Sequence, residues 1–445
     1  MVTENRPLKI LAFDGWTKGA HHFVPIAEEL RAQGSELLLV HMGSWGHDQG
    51  RPQEEQWGAL TLRDISYYDG TGLDAILDRE APDLVVFLST RALVHQAVNR
   101  YALSRGIPTV HMLHGLIHVQ TVSLTGNSHK ANRRRTASLI WERAAKNLTR
   151  TIPTYARALL KTRAPLRHWR AMAGEVMHKA LSRGGILAPP DATTTAGLVY
   201  VAADIPFLRD GYRVPEAAIS VIGNPDLARF GMGDADIGLR QREMPGDLRQ
   251  NVLYLDTGLD VAGFVFADAH AFSRHLIGLQ QALRNQGLSL EVKLHPARDD
   301  AALEQRLEEA GIALVWNDGF LPALRTARAV IAEPSTVAMV PAVMGLPLLL
   351  ARFGALRTQG YGSVLKSYPL SRDLEDPAKL SDLLAEIAEN SNSRAFQTWV
   401  EENGGPRPLG AVAQRAAAAI VMVARHGTTA SMEVVGEDEL CSGQQ

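Results

Sequence analysis

Between Leu288 and Arg352 one pattern repeats: a short apolar run ends on a chain breaker, and an amphipathic stretch follows. Leu290-Glu291-Val292-Lys293-Leu294 reads as a strand and stops at His295-Pro296, because proline has no N–H to give to a ladder. Ala301–Ala310 has helical spacing. Ala313–Trp316 and Ala329–Ala332 read as further strands, the second ending at Glu333-Pro334-Ser335-Thr336. Val337–Met344 reads as the next helix, closed by Gly345-Leu346-Pro347, with Leu348-Leu349-Leu350 as the strand after it. Strands alternating with helices in this way form a parallel sheet. Ligands of such sheets bind beyond the carboxyl ends of the strands, and His295 sits at that edge. Ser335 or Thr336 is a natural N-cap, and the free N–H groups of a helix start suit a phosphate.

The same rhythm runs through the first half. Leu8–Phe13 is a strand, Asp14–Gly19 a loop, His21–Gln33 a helix and Glu36–His41 a strand. Asp83–Leu88, Ala92–Arg105 and Pro108–Met112 repeat the unit and end at Leu113-His114-Gly115, which puts a second imidazole at a carboxyl edge. Ile219–Ile222, before Gly223-Asn224-Pro225, reads as the last strand of this half. The chain divides into a first domain over 1–230, with a basic helical insertion at 129–185, and a glycine-containing linker over 231–250. A second domain over 251–395, C-terminal helices over 396–426 and a polar tail over 427–445 complete it; the tail is expected to be disordered. No G-x-G-x-x-G, no G-x-x-x-x-G-K-[ST] and no G-x-S-x-G occurs, which argues against a dinucleotide site, a P-loop and a serine-hydrolase elbow.

A chain of 445 residues is too long for one ordinary core. Its net charge of −2 gives no global pull toward nucleic acid. Cys441 is the only cysteine, so neither a disulfide within the chain nor a cysteine-based zinc site is possible. The opening stretch is polar, and no run approaches the roughly 18 apolar residues of a membrane span. A cytoplasmic protein is expected.

Lys293-Leu294-His295-Pro296, with Glu333-Pro334-Ser335-Thr336 and Gly345-Leu346-Pro347 behind it, resembles the C-terminal half of GT-B glycosyltransferases. The likeness is to bacterial surface-polysaccharide sialyl-, polysialyl- and Kdo-transferases and CDP-glycerol polymerases. It implies two Rossmann-like α/β domains facing across a cleft, with a C-terminal helix within Phe396–Arg425 crossing back. It also implies a nucleotide-sugar donor, for which a CMP-activated sugar is one choice, and a glycan or lipid-linked acceptor. The implied transfer is inverting and needs no metal or cofactor. Lys293, His295, Pro296, Glu333, Ser335 and Thr336 would surround the nucleotide phosphate. The base would come from the first domain. Asp14 leads, with His21 and His22 close by; His114 and Asp69 are the others. Tyr67-Tyr68-Asp69-Gly70 resembles the acidic-glycine motif of sialyltransferases but lacks its usual second carboxylate. Asp234-Ala-Asp236 has D-x-D spacing but lies in the linker, so it is read as solvated charge. Two other readings stay open: an epimerase of the UDP-N-acetylglucosamine 2-epimerase type, and a non-catalytic glycan- or nucleotide-binding scaffold.

His129–Arg170 differs from its surroundings. It includes Arg133, Arg134, Arg135, Arg163 and Arg167, has Glu142 as its only carboxylate, and interleaves aliphatic and aromatic residues. Contact with an anionic membrane surface or a phosphate-bearing acceptor fits this composition. A solvated insertion is the plainer alternative, and nucleic acid the least favoured partner.

Overall fold

The computed structural model describes residues 6–15, 17–45, 50–116, 147–180, 190–243, 249–258, 265–295, 298 and 300–427. Two sheets carry it. The first is built from β1 (Lys9–Asp14), β2 (Glu36–His41), β3 (Glu54–Trp57), β4 (Leu60–Asp64), β5 (Leu84–Phe87), β6 (Thr109–Met112), β7 (Ala196–Val199) and β8 (Ile219–Val221). Its order is β3-β4-β2-β1-β5-β6-β7-β8, and only β3 runs antiparallel to its neighbour. The second holds β9 (Asn251–Leu255), β10 (Ser289–Lys293), β11 (Ala313–Leu314), β12 (Ala329–Ala332), β13 (Leu348–Ala351) and β14 (Ser371–Leu374). Its order is β11-β10-β9-β12-β13-β14, parallel throughout.

The central strands are apolar at nearly every position because helices cover both faces. β5, β12 and β13 are buried along their whole length. In each sheet the chain first steps outward, then returns to the other side of its starting strand. The reversal falls between β1 and β5 in one sheet and between β9 and β12 in the other. A crevice opens at such a point, because successive crossover helices lie on opposite faces.

The helix Val412–His426 crosses back to the first domain. It packs on the helix Ala20–Ala32 and reaches β5 and β7. Ala416, Ala417, Ala419, Ile420 and Val423 form its buried stripe, and Arg415 donates to the carbonyl of Ile222 at 2.8 Å. Two Rossmann-like domains joined by this returning helix make the GT-B architecture.

Four strands were not read from the sequence: β4, Leu-Thr-Leu-Arg-Asp, whose alternate residues are buried, and three others. β3, Glu-Glu-Gln-Trp, carries its charge on an exposed edge. β7 is a four-residue run, Ala-Gly-Leu-Val, and β14 is an edge strand reading Ser-Arg-Asp-Leu. The stretch 231–250, read as a linker, is packed on the second domain in its described part. Arg240 is buried and donates to the carbonyl of Ala327 at 2.7 Å. Asp236 is not a solvated charge, which corrects the sequence reading, whereas Asp234 is exposed. Asp236 is buried, pairs with Arg325 at 2.8 Å and accepts the N–H of Gly233. Asp234 accepts the N–H of Leu409 at 2.8 Å.

Arg133, Arg134 and Arg135 lie outside the described residues, as does the tail after 427. The helix Ile152–Lys161 is no loose appendage. Tyr155, Ala158 and Leu159 enter the core beside the helix Leu93–Ser104. Lys161 pairs with Asp74, whereas Arg163 and Arg167 are exposed, near the equally exposed Leu160 and Leu166. Among the described residues, no helix is long and apolar enough to cross a membrane.

Candidate functional site

At the second sheet's reversal, two carboxylates organise the loops. Asp256, just past β9, has a fully buried side chain. It accepts the backbone N–H groups of Gly258 and His295 at 2.8 and 2.9 Å, and it pairs with the Arg298 guanidinium. Arg298 in turn lies over the Phe272 ring, 4.1 Å from its centroid. Glu333, just past β12, is also fully buried. It takes the Tyr254 hydroxyl at 2.6 Å, the Thr257 N–H at 2.9 Å and the Thr257 hydroxyl. Burial, then the nearby Asp256 carboxylate, raises the pKa of Glu333.

The ends of β10, β9 and β12 are therefore tied into one shelf. His295 is bound through its backbone to Asp256, and Thr257 is bound to Glu333. The His295 ring lies against Gly258. A Cβ at that position would stand 3.2 Å from the His295 Cγ, and φ there is +69°. Only glycine fits both demands without strain.

Ser335 caps the turn after β12 by accepting the Val337 N–H at 3.3 Å. Thr336 does something the sequence did not show. Its hydroxyl donates to Asp226, in the first domain's helix Pro225–Arg229, at 3.1 Å. Lys293 is buried and extends toward Asn317, with its ammonium 5.3 Å from the rings of both Phe230 and Phe320. Burial and the proximity of Arg229 push its pKa down to about 8.

Facing this shelf is the end of β6. A Cβ on Gly115 would lie 3.6 Å from the Thr336 Cγ2, so the Leu113-His114-Gly115 loop meets the second domain. The Nδ1 of His114 is 3.0 Å from the carbonyl oxygen of Leu88. A carbonyl only accepts, so Nδ1 carries a proton, and in the neutral ring Nε2 is the nitrogen with the lone pair. The His114 and His22 rings are 6.5 Å apart, and His22 lies 4.0 Å from His21. Burial, then His21, His114 and Arg229, lowers the pKa of His22 to about 3. It is a neutral wall of the site near pH 7.

The sequence-derived candidates fall into groups. His114, Ser335 and Thr336 meet at the domain junction, and His295 lies on the same shelf. Pro296 is outside the described residues. Glu333 is too deeply buried to touch a ligand and instead holds Thr257. Asp14 is buried, accepts the Gly15 N–H at 2.6 Å and lies 3.8 Å from the Nε2 of His95. Its geometry is that of a loop-holding carboxylate. Asp69 lies on the exposed turn after β4, two strands out from β1, away from the junction. Asp226, Arg229, Asp256 and Arg298 were missed. The Asn224-Pro225-Asp226 cap and the Asp256-Thr257-Gly258 turn after an apolar run were the available signals. Among the described residues, no group of three or more His, Cys, Asp or Glu side chains is arranged to hold a metal ion.

No known protein family and no curated protein matches the sequence. Solved structures resemble the chain in outline. The glycosyltransferase of kitacinnamycin is 15% identical over 93% of this chain and 98% of its own, with a TM-score of 0.46. A putative UDP-N-acetylglucosamine 2-epimerase from Listeria monocytogenes is 13% identical over 94% and 96%, with a TM-score of 0.47. A wall teichoic acid polymerase is 11% identical over 95% and 90%, with a TM-score of 0.46.

Proposed function

We propose that the chain is a glycosyltransferase that moves a sugar from a nucleotide donor to an acceptor hydroxyl, with no metal or cofactor. One observation carries this reading: two sheet ends meet where Gly115 approaches Thr336 and Asp226 takes the Thr336 hydroxyl. Donor and acceptor can then be held by different domains across one junction.

On the donor side, His295, Ser335 and Thr336 hold the nucleotide phosphate, and Lys293 adds positive field from below. On the acceptor side, the Nε2 of His114 is the base. The acceptor oxygen bonds to the anomeric carbon while that carbon's bond to the phosphate oxygen breaks. The electron pair leaves with the nucleotide, and the acceptor proton passes to Nε2 and then to solvent. Attack from the side opposite the leaving group inverts the anomeric centre. Donors fixed before the reaction stabilise charge building on the phosphate without reorganising. Exposed Arg163 and Arg167, beside Leu160 and Leu166, support contact with an anionic bilayer from the cytoplasmic side.

Thermal-shift titration with CMP, CDP, UDP and GDP tests the donor site. One of them is expected to raise the melting temperature, and His295→Ala to abolish the rise. No shift with any of the four sinks the reading. Incubating the matching sugar nucleotide without acceptor separates the rival activity. Slow release of free nucleotide fits a transferase, and sugar interconversion without release fits an epimerase.

A further inference from the structure

A second cavity, of about 460 Å³, opens beside this junction in the first domain, between the helix Ala20–Ala32, the helix Pro225–Arg229 and the returning helix Val412–His426. Its size falls in the range of about 300–1,000 Å³ common for small-molecule sites. Ile26, Trp57, Met112, Ile222, Val412 and Ala416 supply apolar walls. His22, Asp226 and Arg229 supply polar groups to the same cavity. Asp226 is the residue that takes the Thr336 hydroxyl, so the polar end adjoins the domain junction.

A second observation points to a ligand. Tyr200 also lines this cavity and is only 3% exposed, yet its hydroxyl has no hydrogen-bond partner. A buried hydroxyl without a partner is unfavourable, and a bound molecule with one polar atom would remove that penalty. A glycan exposes hydroxyls on all sides and would leave many unpaired against these walls. An apolar body with a polar end matches them.

We infer that this cavity binds the acceptor, and that the acceptor is an alcohol with an apolar body whose hydroxyl emerges between His22, Asp226 and His114. The inference rests on the transferase reading and narrows its acceptor from a glycan or lipid-linked hydroxyl to an alcohol with an apolar body. The returning helix thereby forms a wall of the substrate site as well as joining the domains.

The fluorescent aryl alcohol 4-methylumbelliferone serves as the probe, titrated into the full chain. Saturable binding is expected. Ala413→Leu on the returning helix and Ala228→Leu on the opposite wall both add volume at half-buried positions. Each is expected to weaken the probe roughly 10- to 200-fold while leaving nucleotide affinity unchanged. Two positions on separate helices keep the test decisive if one variant does not fold. Absence of saturable binding, or binding that survives the substitutions, overturns the inference. The two readings fail separately. Nucleotide binding without probe binding removes the cavity's role and leaves the transferase. Probe binding lost in the variants, in a chain that binds no nucleotide, removes the transferase and leaves a binding site for an apolar alcohol.

Discussion

On the second-domain side of the junction, Asp256 and Glu333 each gather backbone and side-chain donors from neighbouring strand ends. On the first-domain side, the conspicuous groups are neutral imidazoles. His22 and His111 have pKa values lowered to about 3, first by burial and then by neighbouring histidines. Neither the Nδ1 of His111 nor either ring nitrogen of His95 has a hydrogen-bond partner. The first arrangement fixes atoms in place through charge-assisted bonds. The second keeps the His22 and His111 rings uncharged near pH 7. The proposed transfer, which grips a phosphate and deprotonates a hydroxyl, needs one of each.

The largest effect should come from Asp256→Ala. Arg298, 3% exposed, would lose the Asp256 carboxylate that balances its charge. We expect a loss of about 3–5 kcal/mol in urea unfolding, together with nucleotide binding. A loss below ~1 kcal/mol would break the contrast, because the donor shelf would then not depend on its charge network. His114→Ala comes next. Its turnover should fall roughly 10²- to 10⁴-fold. Nucleotide affinity should hold, because the exposed ring touches the Leu88 carbonyl and not the donor shelf. Unchanged turnover would remove His114 as the base.

Acid should act on the first domain's histidines. In the unfolded chain His22 and His111 protonate near their ordinary value of 6.5, but in the fold they do so only near 3. The unfolded state therefore binds more protons between those values, and stability must fall as pH drops through that window. Melting curves from pH 7 to pH 4 should show this fall, and His22→Asn should make it shallower. An unchanged slope would show that His22 is not held neutral. The smallest effect belongs to Ser335→Ala. Losing this cap should cost about 1 kcal/mol, read by chemical denaturation, with a modest loss of nucleotide affinity. A nucleotide effect far larger than the stability effect would sharpen the contrast, marking the hydroxyl as a ligand contact.

Much of the fold was legible because strand ends are local events. β10 ends at Lys293, one residue short of the expected Leu294, β12 ends where Glu333-Pro334 begins, and Gly345 adopts φ +87° to close its helix. The returning helix was expected within Phe396–Arg425, where the chain is rich in alanine. β3 and β14 were missed because they are charged edge strands, β7 because it is only four residues long, and β4 because its alternation spans only five residues and ends in Arg63-Asp64. The candidate site was legible in part: the places of His114, His295, Ser335 and Thr336 at strand ends followed from the local sequence alone. Asp226 did not, because its importance comes from a partner 110 residues away.

Sequence by itself determined where each strand stops and which polar residue stands at the stop. Those choices depend on hydrogen-bonding groups and backbone freedom within a few residues. Tertiary structure alone decided which stops face each other, that Glu333 is held inside while His114 is left outside, and that the space beneath the returning helix is apolar. Such pairings depend on how two separately formed sheets pack, and the free energy of each contact exists only once both surfaces are present.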